Sequence, residues 1–184
     1  MLYTKKGDKG TTKTLRSSDR ISKSSSLINA LGTVDELNAW LGLIKAEVKL
    51  VNFSVTELDL IIAHWLDDIQ NDLFTIQAHL AGAGLTINEP RIAELEKATD
   101  QIEKLLPPIK SFFVPGGCRL SALFDIGRTI ARRAERVVIE ADGENQMGET
   151  IIPYLNRLSS ALYALTRLSN HKFGITEEPP TYNR

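Results

Sequence analysis

Four arginines and one glutamate fall within nine residues, Arg128-Thr129-Ile130-Ala131-Arg132-Arg133-Ala134-Glu135-Arg136. At about 100° per residue on a helix, Arg128, Arg132, Glu135 and Arg136 share one face. Ser121 and Asp125 precede them by one to two turns, while Leu123, Ile126, Ile130, Ala134 and Val137 fall opposite, and Arg133 lies nearer the core side. Guanidinium is a rigid, permanently charged fork of donors suited to bidentate contact with phosphate. The stripe therefore reads as a polyphosphate site. It also reads as a solvated face with Glu/Arg pairs worth tenths of a kcal/mol each, the commoner fate of charge runs on helices.

Two further stretches carry chemistry-bearing residues. Tyr3-Thr4-Lys5-Lys6-Gly7-Asp8-Lys9-Gly10-Thr11-Thr12-Lys13 combines two glycines, three threonines and four lysines. Glycines let the backbone approach a ligand, and successive N–H groups can form an anion nest. The Gly-Lys-Ser/Thr order of a Walker A loop is absent. A turn between short extended pieces, or a frayed terminus, is the other reading. Phe112-Phe113-Val114-Pro115-Gly116-Gly117 sets two large apolar rings beside a turn that cannot be helical. Those rings either plug a bundle end or face a large flat ligand.

The elements that must position these residues follow from apolar spacing. The 184 residues, 42% hydrophobic with net charge −1, suit one domain with a sizeable core. A Ser-rich stretch over 17–26, with Arg20 and Lys23, leads into a first helix over 27–50 capped by Ser24, Ser25 or Ser26. Its core stripe is Ala30, Leu37, Leu41, Ile44 and Val48; Gly32 and Gly42 cost about 1 kcal/mol each against Ala and read as close packing or close ligand approach. Further helices are expected over 58–80, 91–106 (with Pro90 in the first turn), 120–141 and 149–173, with a polar loop at 143–148. Leu155, Leu158, Leu162 and Leu165 line the core side of the last one. Asn156, Ser159, Ser160, Tyr163, Arg167 and Asn170 make its polar face. No alternation of the kind a β-sheet needs is evident. The expectation is an all-α, five-helix bundle, a four-helix up-down core plus an additional helix: arm 1–26, bundle 27–173 and loose tail 174–184.

Composition excludes several function classes. The slight negative charge gives no support to a nucleic-acid role. Cys118 is the single cysteine, so neither a disulfide within the chain nor a cysteine-type zinc site is available. His64, His79 and His171 are scattered and read as structural or surface residues, so no metal site built from protein side chains is expected. With no signal pattern and no membrane-spanning run, the cytoplasm is the default location.

Five stretches occur in one order: Tyr3-Thr4-Lys5-x-Gly7-Asp8-Lys9-Gly10; Gly32-Thr33-Val34-Asp35-Glu36-Leu37-Asn38; Phe112-x-x-Pro115-Gly116-Gly117; Arg128-Thr129-x-x-Arg132-Arg133-Ala134-Glu135-Arg136; and Asn156-Arg157-Leu158-Ser159. Together they resemble the PduO-type ATP:cob(I)alamin adenosyltransferases over nearly the whole chain. The resemblance implies a five-helix bundle assembled as a homotrimer, with active sites between subunits. It implies transfer of the 5′-deoxyadenosyl group of ATP to the cobalt of reduced cobalamin, yielding adenosylcobalamin and triphosphate, with Mg²⁺ accompanying ATP. It assigns Thr4, Lys5, Lys6, Gly7, Thr12, Lys13 and Lys23 to ATP, together with Arg132, Arg133, Ala134, Glu135, Arg136 and Asn156. Arg132, Glu135 and Phe112 would be the catalytic set. Asp35 and Arg128 would pair across a subunit boundary, and Phe112 would lie below the corrin and displace its lower ligand. A cob(II)alamin reductase and an adenosylcobalamin-dependent enzyme are the implied transient partners. One departure stands out: Phe124-Asp125-Ile126 occupies the place of an expected Leu-His pair. Competing readings are a cobalamin carrier without catalysis and a helical bundle whose arginine face docks a partner helix.

Overall fold

A computed structural model describes residues 3–15, 17–58, 61–142 and 148–182. Within them lie five α-helices: α1 (Ser26–Leu50), α2 (Ile62–Leu80), α3 (Glu89–Glu103), α4 (Arg119–Ala141) and α5 (Gly148–Lys172). Neighbouring faces run α2, α1, α4, α5, α3, so α4 is sandwiched between α1 and α5. The expected apolar stripes meet in one core. Leu37, Leu41 and Ile44 of α1, Leu66, Ile69 and Leu73 of α2, and Leu158, Leu162 and Leu165 of α5 are all buried. Residues up to 147 of the expected polar loop at 143–148 lie outside the described residues, as do residues 1, 2, 183 and 184.

The departures from expectation have local causes. A strand pair is present where none was expected: β1 (Thr11–Thr12) and β2 (Ile21–Ser22) run antiparallel, Thr11 opposite Ser22. Two-residue strands are too short to carry an alternation signal. Helix α2 begins at Ile62 rather than 58, because Leu58 N–H turns back to the Val55 carbonyl and Ile61 is extended. Helix α3 begins at Glu89, which puts Pro90 in its first turn, where a missing N–H costs nothing. It ends at Glu103, and Leu105 and Leu106 close tight turns onto Ile102 and Glu103.

On α4 the helical wheel is rotated relative to expectation. Ser121 and Asp125 are buried and Ile126 is exposed. Arg133, expected nearer the core side, is exposed as well, since packing against both α1 and α5 turns the buried face toward Ser121 and Asp125. Both buried polar groups are satisfied: Ser121 and Cys118 exchange capping bonds at the helix start, and Asp125 pairs with Arg128. The tight glycine is Gly127, where a methyl group would meet Ile44 Cδ1 at 3.1 Å and Trp40 Cδ1 at 3.3 Å. Trp40 Nε1 donates to the Leu123 carbonyl at 2.9 Å, locking the α1–α4 crossing. Gly32, read as close packing or close ligand approach, faces open space within this chain, which excludes only the close packing.

The segment after α5 is not a loose tail over its first part. Glu177 pairs with Arg167, and the Glu178 carbonyl accepts from Val114 N–H at 2.9 Å.

One polar network ties three helices together through the core. Asp72 of α2 accepts from Arg91 of α3 (Nη2–Oδ2 2.8 Å) and from the Tyr154 hydroxyl of α5 at 2.7 Å. Burial, and then the Asp72 charge, push the Tyr154 phenol well above its usual 10.0. Above pH 10 an unfolded chain sheds this proton while the native chain keeps it, so stability falls as pH rises. Tyr154→Phe should therefore show a smaller loss of stability between neutral pH and alkali than the parent, measured by urea unfolding. Asp72→Ala should cost about 2–3 kcal/mol at neutral pH in the same assay, because it orphans the buried Tyr154 hydroxyl and leaves the part-buried Arg91 with Glu94 as its remaining carboxylate.

Candidate functional site

Burial decides what the stripe on α4 can offer. Arg132, Arg133 and Arg136 are exposed, Glu135 is half-buried, and Ala134 is fully buried against the core. Arg133 is neutralised by an ion pair with Glu36 of α1. Glu135 accepts from Asn156 Nδ2 at 2.9 Å, and Asn156 Oδ1 in turn accepts from Arg157 Nη1 at 2.8 Å. Arg157 is itself paired with Glu96. Among the described residues no ion pair engages Arg132 or Arg136, whereas Arg91, Arg119, Arg128, Arg133, Arg157 and Arg167 each have a carboxylate. The two guanidinium groups one turn apart are thus left for an external anion. Ala134 contributes no side-chain chemistry; its small size sets how closely α4 packs.

Beside this stripe lies a cleft of about 890 Å³ between α3, α4, α5 and the aromatic loop. Phe112, Phe113, Asp125, Arg128, Arg132 and Tyr163 line it. Phe112 is 80% exposed, which excludes a core-plug role for that ring. Arg128 is half-buried, donates Nε to Asp125 Oδ1 at 2.9 Å and lies 5.7 Å from the Tyr163 ring centroid. Burial raises the Tyr163 phenol above its ordinary range, so it enters the cleft as a neutral hydroxyl. The other wall is polar but desolvated: Ser159, Thr166, Arg167 and Asn170 are buried on α5. A depression of similar size, about 930 Å³, sits at the α1–α2 turn among Phe53, Val55, Ile62 and Trp65. It brings no arginine and none of the arm residues.

The arm is an ordered hairpin-like unit. Arg20 fastens it, donating Nε to Thr11 Oγ1 at 2.8 Å and Nη2 to the carbonyls of Lys6 and Thr11 at 2.5 and 2.6 Å. Lys23 N–H donates to the Gly10 carbonyl at 2.9 Å. Lys5 (φ 60°) and Gly10 (φ 74°) adopt left-handed conformations that bend the arm. Gly7 lies so near Lys23 that a methyl group there would come within 2.9 Å of Lys23 Nζ. Thr12, Lys13 and Lys23 border a shallow cleft of about 560 Å³ with Ile28 and Leu31 of α1. Thr4 Oγ1 accepts from Lys6 N–H at 3.4 Å. Arg20 is the site-shaping residue the sequence reading passed over; a lone cation amid serines, with no helical partner, was its only signal.

The structure gathers Arg128, Arg132, Glu135, Arg136, Asn156 and Phe112 along one side of α4 and α5. It gathers Thr4, Lys5, Lys6, Gly7, Thr12, Lys13 and Lys23 in the arm. Among the described residues no hydrogen bond or ion pair joins the two groups. Nor do Asp35 and Arg128 meet within the chain: exposed Asp35 accepts from Gln77 Nε2 at 3.3 Å, and Arg128 is held by Asp125. Among the described residues no group of three or more His, Cys, Asp or Glu side chains could hold a metal ion, and no helix is long and apolar enough to cross a membrane.

The helical bundle thus carries a fastened basic arm, two guanidinium groups without an ion pair among the described residues, and an aromatic-edged cleft. The chain belongs to the cobalamin adenosyltransferase family, whose model matches residues 2–169. It is 36% identical to the corrinoid adenosyltransferase of Bacillus subtilis over 176 residues, covering 95% of this chain and 89% of that protein. It is 37% identical to the corrinoid adenosyltransferase PduO of Citrobacter freundii, covering 92% of this chain but only 50% of that longer protein. Among solved structures it matches a variant of the PduO-type ATP:corrinoid adenosyltransferase from Lactobacillus reuteri complexed with cobalamin and ATP, with TM-score 0.85 and 29% identity over 98% of this chain and 96% of that one.

Loss of the Arg20 clamp should free the arm and leave the bundle intact. In Arg20→Ala, hydrogen exchange at the Lys23 amide is expected to accelerate while amides of α4 keep their protection.

Proposed function

We propose that this chain transfers the 5′-deoxyadenosyl group of ATP to the cobalt of reduced cobalamin, releasing triphosphate. The observation that carries this reading is the position of Arg132. It is an exposed guanidinium with no ion pair among the described residues, it belongs to the arginine stripe, and it lines the same cleft as Phe112. One residue therefore borders both a triphosphate site and a corrin-sized hollow.

The division of labour follows from charge. Cob(I)alamin, as substrate, supplies the electron pair that attacks C5′ of ATP, so no protein nucleophile is needed. The C5′–O bond breaks and its electrons leave on triphosphate. Arg132 and Arg136, with Lys5, Lys13 and Lys23 of the arm, offset that charge; Thr4, Lys6, Gly7 and Thr12 offer further donors around the phosphates. Glu135, oriented by Asn156, faces the nucleotide as an acceptor for ribose or adenine hydrogens. Arg133, already neutralised by Glu36, contributes less than its neighbours. Mg²⁺ would accompany ATP and would offset part of the phosphate charge beside Arg132 and Arg136. Phe112, apolar and exposed at the rim, excludes the lower ligand and water from cobalt, which makes Co(II) easier to reduce.

In this reading the site is completed between subunits of a homotrimer, the arm of one closing over the stripe of the next. Asp35 then competes with Asp125 for Arg128 across that boundary. The cytoplasm is the setting, with a cob(II)alamin reductase upstream and an adenosylcobalamin-dependent enzyme downstream.

Arg132→Ala should lower the single-turnover rate with preformed cob(I)alamin by about a hundred- to a thousandfold, the usual loss for one preorganised charge-stabilising donor. A normal rate in that variant contradicts the assignment. Charge reversal of Asp35 or Arg128 alone should impair activity or assembly, and the double swap should restore part of it, read by turnover and sedimentation.

A further inference from the structure

The segment after α5 doubles back over the aromatic loop, and a buried cation joins the two. Arg167 is 4% exposed. Its Nε pairs with Glu177 Oε2 at 2.9 Å, its Nη2 donates to the Pro107 carbonyl at 2.9 Å, and its guanidinium lies 5.3 Å from the Phe113 ring centroid. One side chain of α5 thus grips the start of the loop, its middle and the returning segment. Val114 N–H donates to the Glu178 carbonyl, and Asn170 Nδ2 to Glu177 Oε1 at 3.4 Å. On the far flank, a methyl group at Gly117 would come within 2.5 Å of Asn170 Oδ1 and 2.8 Å of Ile175 Cγ2. Both sides of the loop are therefore seated on α5 and on residues 175–178.

Between these anchors Phe112 stands 80% exposed. An apolar ring on a slack loop would fold onto the nearest apolar surface to leave water. The loop that carries the ring is held at Pro107, Phe113, Val114 and Gly117. The arrangement depends on charge balance: a buried guanidinium is costly unless paired, and Glu177 is its carboxylate. Removing that carboxylate leaves Arg167 without its ion pair and frees the segment that covers the loop.

We propose that Arg167 and Glu177 are positioning residues that hold Phe112 in place beneath the corrin, so that forming four-coordinate cob(II)alamin depends on their ion pair. This rests on the role given to Phe112 under the transfer reading. Neither residue touches the atoms that react.

The test compares two starting states at saturating ATP and corrinoid. Chemically prepared cob(I)alamin already lacks axial ligands, so its reaction does not need Phe112. Cob(II)alamin, with reduced flavin as the one-electron donor, does. For Glu177→Ala and Arg167→Lys, the rate from cob(II)alamin should fall about tenfold or more, since a misplacement of about 1 Å can cost about a hundredfold. The four-coordinate signal in electron paramagnetic resonance should fall with it, and the rate from cob(I)alamin should stay close to the parent's. Glu177→Gln, which keeps hydrogen bonding but loses the charge, should lie between. Unchanged rates from cob(II)alamin overturn the proposal. So does a parallel fall from both starting states, because the pair then serves only folding or corrin affinity. A parent protein that fails from cob(I)alamin overturns the transfer reading itself, a result distinct from failure of the variants alone.

Discussion

The proposed function asks one helix, α4, to be a core helix and an anion-binding helix at once. Its buried side packs against both α1 and α5, with Gly127 admitting Trp40 and Ile44 on one side. The opposite strip is open to solvent at Arg132, Arg133 and Arg136. Guanidinium groups on such a strip are readily captured by neighbouring carboxylates, and most of those near it are: Arg133 by Glu36, Arg128 by Asp125, Arg157 by Glu96. Arg132 and Arg136 escape because no described acid reaches them. Their availability, rather than the number of arginines, supports the proposed polyphosphate site.

The same economy of pairing extends to the cleft. Asp125 and Arg128 neutralise each other on one wall, and Arg167 and Glu177 on the other. Tyr163 remains a neutral phenol between them. A cleft lined by balanced charges and one exposed aromatic ring suits a large, mostly neutral macrocycle better than a second polyanion. In the proposed reaction Arg132 stands at the join, where its unbalanced positive charge would meet a departing triphosphate.

Much of the fold was legible in the sequence, because four of the five helices carry long apolar stripes at helical spacing, and burial follows them almost residue for residue on α1, α2 and α5. The amphipathic wheel misjudged α4, since a wheel drawn for one buried face cannot anticipate two neighbours. Ser121 and Asp125 looked like surface residues for that reason; only tertiary contacts show that a capping exchange and an ion pair make their burial tolerable. The two-residue strands of the arm and the docked segment after α5 were not readable, because each depends on single long-range contacts such as Arg20 with Thr11 and Arg167 with Glu177. The candidate site was legible mainly as an ordered set of motifs. Which arginines remain available is a property of their partners, and partners distant in sequence leave no local mark.

The proposed reaction forms a carbon–cobalt bond at the expense of the C5′–O bond of ATP. Its most direct test is to incubate the protein with ATP, Mg²⁺ and chemically reduced cob(I)alamin and to quantify corrinoid and phosphate products together. The predicted result is adenosylcobalamin accompanied by an equal amount of triphosphate. Persistence of cob(I)alamin beside intact ATP, or release of ADP and phosphate with no change in the corrin spectrum, would contradict it.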